Sequence, residues 1–210
     1  MIAINNLYLF FIASLLLNVT PGNDMIFVAS RTISQGSKAG YLSALGIFVG
    51  CFVHILAAVF GLSVIIAQSA LLFETIKYAG AAYLIYLGIK MMITKPNENI
   101  YITEISFQRK SKIFQQGVLT NALNPKVAIF FLSFLPQFVN ASSPYVKMQF
   151  LLLGMWFAVQ GTLVLLAVAF LLGRTTNFLK YNPAFWLCQE RITGLVLVTL
   201  GVKLAIISRK

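Results

Sequence analysis

Residues 40–67 and 148–172 contain no Asp, Glu, Lys or Arg. A helix of that length facing water needs a polar, charged face, so neither run suits a soluble surface. A hydrocarbon core about 30 Å thick is crossed by roughly 20 apolar helical residues. Six runs meet that length, at roughly 7–29, 40–67, 70–92, 113–139, 148–172 and 192–208. Only 10% of the chain is charged and 59% is hydrophobic, whereas a soluble domain carries about 25% charged residues. The pattern predicts an all-α integral membrane protein with six transmembrane helices.

The one sizeable polar segment, 93–112, divides the chain into two sets of three runs. The organisation it predicts is a first three-helix repeat over 1–92, a cytoplasmic linker over 93–112 and a second three-helix repeat over 113–210. Three spans is an odd number, so a duplicated unit must enter the membrane in opposite senses. That is the inverted-repeat plan of many secondary transporters.

The net charge of +11 reads as orientation, not as nucleic-acid binding. Arg31 and Lys38 follow the first run. Lys90, Lys95, Arg109, Lys110 and Lys112 follow the third, and Arg174, Lys180 and Arg191 the fifth. Lys77, Lys147, Arg209 and Lys210 fall on the other side. Basic residues accumulate on cytoplasmic loops, which puts the linker inside and both termini outside a bacterial inner membrane. If the first run fails to cross, five spans remain and the N-terminus moves inside. The N-terminus has neither a basic n-region nor a small-residue cleavage pattern, so the first run is expected to stay in the mature chain. Cys51 and Cys188 lie far apart with no CxxC and define neither a disulfide nor a metal site.

Two runs carry a helix start inside them. "LLLNVTPGNDMIFVA" (15–29) holds Thr20-Pro21-Gly22, and "TNALNPKVAIFF" (120–131) holds Asn124-Pro125. A capping residue followed by Pro is a helix N-terminus signature, and Pro blocks continuation of the helix before it. Helices one and four are therefore expected to be discontinuous. Counting from Arg31 and Lys112 at 1.5 Å per residue, the breaks lie about 15 and 18 Å deep, near mid-membrane. Both new helices would present their N-termini there, and helix N-termini attract anions. Gly22 permits close backbone approach. Carbonyls around 17–19 and 121–123 could accept from an ammonium. Two readings fit these facts. One is a site for a zwitterionic amino acid. The other is a pair of proline kinks whose freed groups are satisfied internally.

The stretches "NVTPGNDMIFVASRTISQGSKAGYLSALGIFVGCFVH", "KYAGAAYLIYLGIKMM" and "GVLTNALNPKVAIFFLSFLPQFV" together resemble the LysE/RhtB-type amino-acid exporters over essentially the whole chain. The family pattern Thr-Pro-Gly-Pro is followed by an acidic or amide residue; here Asn23 replaces the second Pro and Asp24 fits. The resemblance implies secondary active export of small amino acids, driven by the proton-motive force.

The candidate substrate-binding residues are Thr20, Pro21, Gly22, Asn23, Asp24, Asn121, Asn124, Pro125 and Lys126. Asp24 and His54 are the candidate proton-coupling groups, because intramembrane ionisable side chains usually face a cavity. Lys126 could pair with Asp24 or with a substrate carboxylate. Asn18, Tyr83 and Gln160 are candidate cavity-lining residues. For His54 and Gln160 the structural alternative is a hydrogen bond to a neighbouring helix. Scarce acids and apolar walls favour neutral over basic amino acids. Membrane lipids are expected partners, and Gly46-x-x-x-Gly50 and Ala79–Ala82 suit packing within a monomer or in a homodimer. No cofactor and no metal site are expected.

Competing functions fit the residues less well. An embedded enzyme would want a nucleophile–base pair or a metal, and the chain has one His and neither HExxH nor Gly-x-Ser-x-Gly. A metal-ion exporter of the cadmium type would want clustered soft or carboxylate ligands. A thiol carrier would want paired membrane cysteines.

Overall fold

The computed structural model describes residues 7–68, 70–93, 107–174 and 183–206. Most of the 93–112 linker, Lys180 and both termini lie outside the described residues, and so do the expectations for their placement. Regular structure among the described residues is helical, with no strand.

Helices α1 (Leu7–Val19) and α2 (Asn23–Gln35) meet at a bend of 46°. Gly36, at φ 84, turns the chain into α3 (Ser37–Ala57), a backbone angle that favours glycine. The π turn Ala58–Leu62 links α3 to α4 (Ser63–Gln68), and α5 spans Ala70–Ile93. The second half opens with α6 (Lys110–Ala122) and α7 (Pro125–Ile129). A π turn (Phe130–Phe134) and a 3-10 turn (Leu135–Phe138) follow, and the segment from Pro125 is bent 41° from α6. Helices α8 (Val146–Arg174) and α9 (Pro183–Ile206) complete the fold.

Among the described residues, three helical stretches, Ser37–Ile65, Glu74–Ile93 and Val146–Arg174, are long and apolar enough to cross a membrane. Counting each bent pair as one span raises the number to five. Of the sixth expected span, the described apolar helix is Gly194–Ile206. Gln189, Glu190 and Arg191 interrupt the apolar run of α9 just before it.

The halves are interleaved. The α1–α2 pair lies on α8, α6 lies along α3, and α5 packs on α9. Lipid tails are as apolar as Leu, so association of such helices depends on close packing more than on apolar burial. Gly46 and Gly117 provide it for α3 and α6: a Cβ on Gly46 would clash with the Phe114 carbonyl oxygen, and one on Gly117 would lie 2.7 Å from that of Ser43. Gly50 faces the Val118 carbonyl in the same way, so the Gly46-x-x-x-Gly50 motif packs within the chain.

An aromatic cluster packs the segment after the second break against α8 of its own half and α1 of the other. Phe130 stacks on Phe157 of α8 with ring centroids 4.7 Å apart. Phe10 of α1 meets Phe138 edge-on at 5.2 Å. Such pairs contribute about 0.5–1.5 kcal/mol each beyond their buried area. Phe10, Phe130, Phe131 and Phe134 are fully buried.

Candidate functional site

The first break differs from its sequence reading. Helix α2 begins at Asn23 with Gly22 as its N-cap, not at Pro21, and Thr20 does not cap it. The Thr20 hydroxyl instead donates to the Leu16 carbonyl at 2.6 Å and closes the last turn of α1. A Thr side chain finds the carbonyl four residues back more readily than an amide beyond Pro21. Gly22 is extended (φ −170, ψ −173), a conformation open to any residue. Its missing Cβ matters for space: a side chain there would meet Lys126 Cδ at 3.3 Å and Nζ at 3.5 Å.

The second break follows local chemistry closely. Asn124 is the N-cap of α7, its Oδ1 accepts from the Lys126 amide at 3.0 Å, and Pro125 occupies the first turn. Pro125 has no N–H, so the Asn121 carbonyl loses its regular helical partner. The Asn124 amide at 2.9 Å and the ring Nε2 of His54 at 2.8 Å take its place. A carbonyl only accepts, so Nε2 carries the proton. His54 is thus bound to α6 and lies beside the Phe131 ring, 5.8 Å between centroids.

The two breaks are joined directly. The Lys126 ammonium donates to the Thr20 carbonyl at 2.6 Å. The pairing of Lys126 with Asp24 weighed from the sequence is not formed, because the Thr20 carbonyl, freed at the break, captures the ammonium. The accepting carbonyl is that of Thr20, one residue past the 17–19 segment expected. The first turns of both new helices reach the same cavity, through Gly22 and Asp24 on one side and Asn124 and Lys126 on the other. Asp24 occupies the first turn of α2, and α7 runs only from Pro125 to Ile129 before widening into a π turn.

Asp24 Oδ2 accepts from Asn121 Nδ2 at 2.8 Å. The Asn124 side chain, Lys126 and His54 also lie by this carboxyl group. Its Oδ1 is buried without a hydrogen-bond partner, as is Asn121 Oδ1.

A cavity of about 40 Å³ lies between the breaks. That holds a few water molecules at most, so a whole amino acid enters only if the helices part. Asn18, Thr20, Gly22, Asp24, Asn121, Asn124 and Lys126 line it. Pro21, Asn23, Pro125, His54, Tyr83 and Gln160 do not. Asn23 opens instead onto an outer groove between α2 and α6. Tyr83 sits on α5 against Tyr86, ring centroids 6.3 Å apart. Gln160 acts behind the wall: Asn18 Nδ2 donates to Gln160 Oε1 and to the Phe157 carbonyl, both at 3.2 Å.

Apolar and small residues complete the walls and were not singled out in the sequence. Phe157, Gly161 and Leu165 of α8 recur every four residues, and Phe48 and Cys51 of α3 three apart. That helical spacing was the available signal. Arg31 had been read only as a loop charge. It is buried, with Nη2 donating to Gln116 of α6 at 2.8 Å and Nη1 to Gln35 at 3.0 Å. Gln35 in turn bonds the Gln108 backbone through its Nε2 at 3.0 Å.

Long apolar helices and broken pairs that enclose a polar cavity define a multi-pass helical membrane protein. Comparison with known proteins makes this specific: the chain belongs to the LysE type translocator family, whose model matches residues 15–208. Membership makes it a transporter and not an enzyme. It is 34% identical over 195 residues to the Uncharacterized membrane protein YrhP of Bacillus subtilis (strain 168), covering 88% of this chain and 91% of that one. It is 29% identical over 151 residues to the Leucine efflux protein of Salmonella choleraesuis (strain SC-B67), 70% of each chain. The Leucine efflux protein of Salmonella paratyphi A (strain ATCC 9150 / SARB42) matches equally. No solved structure matches the chain.

Proposed function

We propose that this translocator is a secondary active exporter of small neutral amino acids across the bacterial inner membrane, driven by the proton-motive force. One observation carries the reading: two broken helices, from opposite halves, bring Asp24, Asn121 and Lys126 to one cavity. A carboxylate and amide can hold an ammonium, and a lysine can hold a carboxylate. The apolar end, with Phe48, Phe157 and Leu165, suits an uncharged side chain, as does similarity to a leucine efflux protein.

In this reading α9 is the sixth span, and the halves are inverted repeats that rock against each other. The reciprocal packing of each broken pair on the long middle helix of the other half supports it. Asp24 is the coupling carboxylate, and His54 serves mainly to hold the second break, since its Nε2–H is committed to Asn121. The basic loops put the linker in the cytoplasm.

The test is uptake of labelled leucine, alanine and lysine into proteoliposomes under an imposed pH gradient. Gradient-dependent movement of leucine or alanine, slowed in Asp24→Asn, is expected. Movement of lysine alone, or movement indifferent to both the gradient and Asp24, would sink the reading.

A further inference from the structure

The contact between Asp24 and Asn121 is half complete. Asn121 Nδ2 donates to Asp24 Oδ2. The remaining oxygen of each group, Asp24 Oδ1 and Asn121 Oδ1, is buried without a partner. Both accept only, so an ionised Asp24 cannot satisfy Asn121 Oδ1, nor the amide oxygen satisfy Asp24. A buried acceptor left without a donor is costly, and more so when it is charged. His54 Nε2 is committed to the backbone carbonyl of Asn121, and the Lys126 ammonium is turned to the Thr20 carbonyl, so neither reaches the two orphaned oxygens.

We infer that a proton sits on Asp24 Oδ1 and is donated to Asn121 Oδ1, closing a cyclic acid–amide pair across the two halves of the chain. The acid hydroxyl then meets the amide carbonyl while the amide N–H meets the other acid oxygen. One proton fills both orphaned acceptors and removes a buried negative charge. The step adds one proton from water to a carboxylate; no other bond forms or breaks. Asn121 is a positioning residue for that proton.

The groups around Asp24 allow it. Lys126 on α7 and His54 on α3 are the ionisable side chains beside it, with the Cys51 thiol of α3 also on the cavity wall. The Lys126 ammonium is bonded to the Thr20 carbonyl and not to Asp24. Asn18 and Thr20 from the first half and Gly161 and Thr162 from α8 bring no charge to the cavity. The inference rests on the reading of Asp24 as the coupling group and adds where the proton resides. It also sets an order: a substrate ammonium needs the same two oxygens, so the proton leaves before it binds.

Infrared difference spectroscopy on the purified chain at neutral pH tests this. The wild type is expected to show the C=O stretch of a protonated carboxyl, lost in Asp24→Asn. Asparagine labelled with 13C at its side-chain carbonyl is expected to perturb that band. Asn121→Ala is expected to raise its frequency, since the acid carbonyl loses a donor. No Asp24-dependent band at neutral pH overturns the proposal, and so does a band indifferent to labelled asparagine. The labelled wild type decides the matter even if Asn121→Ala does not fold. Leucine efflux without the band would sink the acid–amide pair and leave the exporter reading standing. The band without efflux of any amino acid would do the opposite.

Discussion

The Lys126 ammonium reaches across 106 positions of sequence to the carbonyl oxygen of Thr20, 2.6 Å away. With the bond from Asn121 Nδ2 to Asp24 Oδ2, it ties the two breaks together. Proline at position 21 removed one backbone donor, and a cation from the other half answers the carbonyl left beside it.

Replacing that cation is expected to loosen both breaks together. Lys126→Met leaves the Thr20 carbonyl buried without its charged donor, a loss of about 1.5–3 kcal/mol. Thermal unfolding in detergent is expected to begin earlier, and leucine efflux to fall about tenfold or more, in keeping with that loss. Lys126→Arg is expected to recover stability in part, because its fork is wider than the ammonium and crowds Gly22. Equal stability and efflux in Lys126→Met and wild type would count against the bond.

The α3–α6 seam makes a second prediction. Gly46→Ala drives a methyl into the Phe114 carbonyl, and overpacking of this kind costs about 1–3 kcal/mol. Gly61→Ala is the control, since nothing lies within 4 Å of a Cβ there. Yield of monodisperse protein after solubilisation is expected to drop for Gly46→Ala and hold for Gly61→Ala. The reverse ranking would mean the helices do not meet where the glycines place them.

Cys51 reports on the cavity. It is a buried wall residue, whereas Cys188 is exposed. In a Cys188→Ser background, a small thiol reagent is expected to label Cys51 slowly, and more slowly still with saturating leucine. Immediate labelling unaffected by leucine would place Cys51 outside the substrate path.

The readable parts of this fold are those fixed by neighbours in sequence. Asn124-Pro125 is a cap and a locked φ in adjacent residues, so its break was legible. Thr20-Pro21 was legible as a break but not as a helix start, since its hydroxyl had a nearer acceptor in Leu16. The Lys126–Thr20 and His54–Asn121 bonds were hidden, because their partners come together only when the halves pack. The wall residues Phe157, Gly161 and Leu165 carry no chemical mark beyond their spacing. Arg31 looked like an edge charge because sequence shows a charge but not the Gln116 amide waiting for it.

Each half leaves a backbone carbonyl at its own break, and the two are met differently. The second half's Asn121 is served by His54, which the ribosome has already made when α6 emerges. The first half's Thr20 depends on Lys126, which is not synthesised until more than a hundred residues later. The leading half therefore waits in the bilayer with this bond unmade, and an amino-terminal fragment ending in the linker would stay incomplete until its other half was supplied.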